Sequence, residues 1–295
     1  MAAPVSAEMH TGQTEGWSHP LPARLHQQTF GLLLAAITAN VAWTLSATPA
    51  APPPSLVEGA PWACGLCSLA VGLARRLPLQ NVAFALTGLL AFSGTLECLT
   101  AQTGIPFGLR RADAGDGSIF GMPWFSPFLW ATLILAARGI ARLMLKPFRQ
   151  TSFYGLWVLG AAVLLVSPAW LTVVPVATAG HWWDSQIPAG VRHWHGLPWL
   201  SLPAIPVAAL LQLAFVTPWL LNKKPVRQPL DVHPLAVWSC LLGWLMARQA
   251  LAGQHGPLWL TAGLLGASLG ATLWGLKVAK APANRAEANR LTESD

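Results

Sequence analysis

Glu97 stands near the end of an apolar run, and a compact polar loop separates it from the next such run. Thr103, Gly104, Pro106, Phe107 and Gly108 come first, then Arg110 and Arg111, then Gly121, Pro123, Trp124, Pro127 and Trp130. An ionised carboxylate at membrane depth is costly, so Glu97 is expected to be protonated, paired with a cation or turned towards a polar cavity. A protonated carboxyl in apolar surroundings is suited to general acid catalysis. A carboxylate paired with Arg110, Arg111 or Arg192 would instead fix a loop. Asp184, in a second irregular loop, is the other candidate, either to orient water or to pair with Arg192. Asp113 and Asp116, beside Gly115 and Gly117, read as turn formers.

His181, His193 and His195 share the second loop with several Trp, but no carboxylate stands at a recognised ligand spacing, so no metal site is expected. Cys64 and Cys67 have the C-x-x-C spacing inside an apolar run, with no second ligand pair nearby. Cys98 and Cys240 are equally apolar in setting, and nothing suggests an exposed disulfide framework. The chain has no P-loop, no Gly-rich dinucleotide fingerprint, no Gly-x-Ser-x-Gly elbow and no His-Glu-x-x-His. Nucleotide and hydrolase chemistry are disfavoured, and no cofactor is expected.

Glu97 followed by Thr103-Gly104-x-Pro106-Phe107-Gly108 and then by Pro123-Trp124-x-x-Pro127-x-x-Trp130 resembles the carotenoid biosynthesis membrane proteins, whose characterised members are carotenoid 1',2'-hydratases. The resemblance covers 97 to 130. A weaker echo follows in His195-Gly196-Leu197-Pro198, with Ser201 where Asn is expected and Ser167-Pro168 where Asp-Pro is expected. Directly after Pro-Phe-Gly the family is expected to carry aromatic residues, usually Tyr, and this chain has Leu109, Arg110 and Arg111.

The resemblance implies a multi-pass membrane lyase that adds water to the terminal double bond of an acyclic carotenoid, an isoprenoid. A proton goes to one alkene carbon, a tertiary cation forms, and water captures it, with no metal or redox cofactor. Glu97 would be the acid and Asp184 the second catalytic group. Thr103, Gly104, Pro106, Phe107, Gly108, Pro123, Trp124, Trp130, His195, Gly196 and Pro198 would line the substrate site. Trp124, Trp130, Trp194 and Trp199 could stack on a polyene or steady its cation, although each alone also reads as an interfacial anchor. The carotenoid would enter from the lipid phase, and other carotenoid biosynthesis enzymes are conceivable partners. A non-catalytic transporter or assembly protein for a lipid is the alternative, with Glu97 and the arginines as a gate or relay.

Composition points the same way as to class. Of 295 residues 54% are hydrophobic and 10% charged, with a mean hydropathy of +0.48, which describes an all-α polytopic membrane protein rather than soluble domains. The net charge of +7 comes from Lys and Arg in short connections between apolar runs, so it argues for membrane orientation and against nucleic acid. Sixteen Trp against one Tyr, many at the ends of apolar runs, suit interfacial anchoring.

Eight spans are expected, at about 30 to 48, 59 to 74, 81 to 101, 123 to 143, 153 to 174, 198 to 221, 232 to 251 and 257 to 276, with seven as the alternative count. Polar tails are expected over 1 to 29 and 278 to 295, flanking a transmembrane domain over 30 to 277. The second span is short, and Ala51-Pro-Pro-Pro54 precedes it as a stiff turn. With eight spans, Arg110, Arg111, Arg192 and Arg248 fall on one side and the other fourteen of the eighteen Lys and Arg on the other. The positive-inside rule then puts both termini in the cytoplasm of a cell-membrane protein and both irregular loops across the bilayer. Gly121-Met122-Pro123-Trp124 and Gly196-Leu197-Pro198-Trp199 also form a faint repeat, read as two similar helix starts or as related hairpins framing one cavity.

Overall fold

In a bilayer every backbone N–H must find its acceptor within its own segment, so long apolar runs become helices. The computed structural model describes residues 23–46, 55–112, 117–188, 190–221 and 231–292. Asp113, Asp116, the proline turn at 51–54, Lys223, Lys224, Arg227 and most of the N-terminal tail lie outside these. Eight α-helices occur among the described residues. They are α1 (Ala23–Ser46), α2 (Ser55–Ala74), α3 (Leu79–Thr103), α4 (Ser126–Met144), α5 (Tyr154–Ala179), α6 (Ala204–Val216), α7 (His233–Leu251) and α8 (His255–Thr292). The protein is an all-α polytopic membrane protein, with seven helical segments long and apolar enough to span.

The segment that falls short is α7, and its position explains why. It packs against α1, α2, α4, α5 and α8, so its polar residues point inward: Arg248 is 7% exposed and Gln249 is fully buried. Gln249 donates to the Thr172 carbonyl at 2.8 Å and accepts from Thr261 at 2.8 Å, joining α5, α7 and α8. A helix enclosed by helices can carry polar groups that a lipid-facing one cannot.

At the centre runs α4, with fifteen of its nineteen residues buried. Small residues let its neighbours close in, as is usual between membrane helices. A Cβ on Gly139 would meet the Pro234 ring of α7 at 2.5 Å, and one on Gly65 of α2 would lie 3.2 Å from Thr132. Thr132 also donates to the Trp62 carbonyl at 3.0 Å. On α8, Gly275 sits against the Met144 carbonyl.

Several element ends differ from the expectations. Begun at Ser55, α2 has 20 residues and is not short, while α5 continues through Pro175 to Ala179. Both tails are partly helical, since α1 starts at Ala23 and α8 reaches Thr292. Pro123 does not open a helix, whereas Pro198 caps a short 3-10 helix, Trp199–Ser201, that leads into α6. Strand β2 (Ser118–Ile119) pairs with β3 (Met122–Pro123), and β5 (His193–Trp194) pairs with β6 (Leu197–Pro198). The turn residues Phe120 and Gly121 have φ of 54° and 80°, and His195 and Gly196 have 44° and 90°. Two successive positive φ values are what a type I' hairpin needs. The faint repeat is therefore a pair of matching two-residue hairpins, each placed a few residues before a helix, α4 or α6.

Candidate functional site

The end of α3 sets the site. Gly104 adopts φ 76° and its N–H caps the Thr100 carbonyl at 2.9 Å, a left-handed ending that glycine permits without Cβ strain. Thr103 is occupied locally, donating to the Leu99 carbonyl and accepting from the Ile105 N–H. The Ile105-Pro106 peptide is cis, and the Gly108 N–H returns to the Gly104 carbonyl at 2.7 Å. A Cβ on Gly108 would lie 2.8 Å from the Pro198 ring, so glycine here lets the second loop settle onto the first.

Strand β1 (Arg110–Arg111) then pairs antiparallel with β4 (Asp184–Ser185), Arg110 opposite Ser185 and Arg111 opposite Asp184. The Gln186 N–H extends the ladder to the Leu109 carbonyl at 2.9 Å. Successive strand residues face opposite sides. Arg110 accordingly turns in, 5% exposed, while Arg111 turns out and bonds the Ala101 carbonyl at 3.0 Å.

Inside, Glu97 is 2% exposed and faces three donor contacts. Arg110 Nη2 reaches its two oxygens at 2.8 and 2.9 Å, and Trp130 Nε1 donates to Oε1 at 2.8 Å. Of the three settings expected for this carboxyl, the fold realises pairing with a cation. Aromatic faces surround that cation: the Arg110 guanidinium carbon lies 4.4 Å from the Trp183 ring centre, 5.2 Å from Phe107 and 5.4 Å from Trp170. Trp130 stacks on Trp170 at 4.3 Å. Burial holds the Arg110 guanidinium below its ordinary pKa, and Glu97 acts against that shift. Within this aromatic chamber Arg110 Nε and Trp170 Nε1 are buried without an acceptor among the described residues.

The fold thus brings together Glu97, Phe107 and Trp130, and separately joins Gly108 to Pro198. It does not bring in Trp124, which packs beside Gly59 of α2 and against Phe125 and Phe128. Pro123 is buried in its hairpin. Trp194 donates to the Leu171 carbonyl at 3.2 Å, and Trp199 is 56% exposed.

Asp184 is exposed and forms no ion pair with Arg192 among the described residues. With His181, His193, His195, Gly196 and Trp183 it lines an open cavity of about 610 Å³. Burial, then the neighbouring His193, lowers the His195 pKa. The cavity and the Glu97 chamber share Trp183 as a wall. Among the described residues no group of three or more His, Cys, Asp or Glu is arranged to hold a metal ion.

Sequence reasoning missed Trp170 and Trp183 as members of the chamber, and it missed a second buried pair. Glu58, 1% exposed, accepts from Arg248 Nη1 at 2.7 Å and from Asn40 at 3.3 Å. Asn40 Oδ1 in turn accepts from Arg248 at 2.8 Å and Trp244 at 2.9 Å, so α1, α2 and α7 meet in one polar knot. The rule that singled out Glu97, a carboxylate in an apolar run, applies equally to Glu58. No protein-family model matches this chain, and neither do the curated proteins or the solved structures compared with it.

Proposed function

We propose that this protein hydrates the terminal double bond of an acyclic isoprenoid of the carotenoid kind, drawn from the lipid phase. One observation carries the reading: a carboxylate and a positive charge are held together among aromatic faces, within a stretch that resembles the carotenoid hydratases. Alkene protonation creates a tertiary cation, and ring quadrupoles attract positive charge. The Glu97 proton would go to one alkene carbon and a water oxygen would bond to the other. The proton lost by that water would restore the carboxyl, so the net change is one added water. Arg110 stands in the cation's place and must swing off Glu97 before the carboxyl can donate. The unpaired Nε of Arg110 and Nε1 of Trp170 suit an oxygen acceptor such as the attacking water.

Expression in cells that accumulate an acyclic carotenoid is expected to yield a tertiary alcohol heavier by one water. Asp184→Asn, altering the open cavity, is expected to slow product formation less than loss of Glu97, for which general acid catalysis predicts about 10² to 10⁴-fold. Unchanged pigment beside well-inserted protein would sink the hydratase reading. That outcome would favour the second reading, a non-catalytic carrier or assembly protein for a lipid, which the seating of Arg110 in the aromatic chamber also supports.

In this reading the protein sits in the cell membrane with both termini cytoplasmic and the paired loops on the far side, which the distribution of Lys and Arg supports. Single cysteines at Ser118 and Thr292, in a background lacking the four native ones, are expected to label with an impermeant reagent from opposite sides. Labelling from the same side would refute the eight-span arrangement.

A further inference from the structure

We propose that Arg138 and Arg142 of α4 bind the phosphate of an anionic ligand such as a membrane lipid headgroup. The starting point is Arg138, which is 6% exposed on the central helix. Arginine is seldom buried unless something pairs with it. Its one hydrogen bond among the described residues runs from Nη2 to the Leu220 carbonyl at 3.2 Å. The three ion pairs among those residues engage Arg76, Arg110 and Arg248, and none engages Arg138.

Its charged neighbour is another cation. Arg142, one turn further along, repels Arg138 and is also within electrostatic reach of Arg76, as is Arg75. Asp231 is the described acid at this end and is already engaged: one oxygen lies 3.3 Å from Arg76 and the other accepts the His233 N–H at 3.1 Å. A preference for positive charge at one membrane face explains solvated arginines at helix ends. It does not explain a buried one.

Phosphate supplies what is lacking. The guanidinium fork matches phosphate oxygens in geometry and charge, and basic pockets between membrane helices take anionic headgroups. Arg142 is exposed one turn beyond Arg138, so a headgroup arriving from the lipid edge meets Arg142 first and Arg138 behind it. This inference is independent of the hydration chemistry at Glu97.

The test uses the full chain, purified in neutral detergent and offered phosphatidylglycerol, phosphatidylcholine or inorganic phosphate. Bound lipid is counted by native mass spectrometry and the melting temperature is followed alongside. Phosphatidylglycerol is expected to be retained in preference to phosphatidylcholine. Arg138→Gln and Arg142→Gln should each weaken retention about five-fold, and the double variant about thirty-fold. Arg192→Gln, the same charge loss on the second loop, should leave retention unchanged. Protection by inorganic phosphate alone, lost in the same variants, upholds the site and makes its ligand a soluble phosphate. Equal retention of both lipids without any phosphate effect overturns the proposal, as does an equal loss in Arg192→Gln. If Arg138→Gln fails to fold, the exposed Arg142 decides: unchanged retention in Arg142→Gln overturns it.

Discussion

Glu97→Gln is expected to destabilise the protein by about 3 kcal/mol or more, because it leaves the buried Arg110 cation without its counter-charge. Gln still accepts hydrogen bonds, so the Trp130 contact can persist while the charge compensation is lost. Arg110→Gln added to it should recover much of the stability, since both charges are then gone and the non-additivity of the pair appears in a double-mutant cycle. Thermal unfolding in detergent reads both effects. A single variant that melts like the parent would contradict the pairing, and a double variant that melts no higher than the single would remove the charge as its cause. The cycle also sharpens the hydration assay. A catalytic Glu97 predicts no alcohol from the restabilised double variant, whereas a purely anchoring Glu97 predicts product whenever the loops are in place.

Arg248→Met is expected to cost about 3 to 5 kcal/mol, by the same asymmetry at the other buried pair. Methionine fills most of the volume but leaves Glu58 with only the 3.3 Å Asn40 contact among its described hydrogen bonds. Asn40 keeps Trp244 as a donor. The effect should be felt first in α1, which lends Asn40 to the knot and packs against α2 and α7. A cysteine pair placed between α1 and α7 should lose cross-linking efficiency in Arg248→Met, and Glu58→Gln added to it should restore part of it. Undiminished cross-linking and an unshifted melting curve would show that the pair contributes nothing to helix docking.

These two pairs also mark how far the sequence could be read. The helices were legible because a bilayer leaves the backbone little choice, and hydropathy reports that directly. Glu97 was legible as an anomaly, and Arg110 was one of three partners considered for it. The choice among the three needed the β1 and β4 register, which alternates Arg110 inward and Arg111 outward. Trp170 and Trp183 were not legible. A helix that is apolar all round gives no periodic sign of which face meets protein and which meets lipid, so the inward turn of Trp170 on α5 comes from packing alone. Pro123 was misread as a helix start, and Pro198 heads a single 3-10 turn rather than an α-helix, because proline suits strand edges as well as first turns. The pairs Phe120-Gly121 and His195-Gly196 held the better clue, since a glycine between short apolar stretches often signals a hairpin.

The stack of Trp130 on Trp170, 4.3 Å apart with planes 23° from parallel, lies beside the carboxylate and the guanidinium. Indoles that close share their excited states, and a neighbouring charge alters their transition energies. The chamber is therefore its own optical reporter: displacement of Arg110 or entry of a polyene, itself a strong absorber, would register in near-ultraviolet dichroism and in energy transfer from tryptophan without any added label.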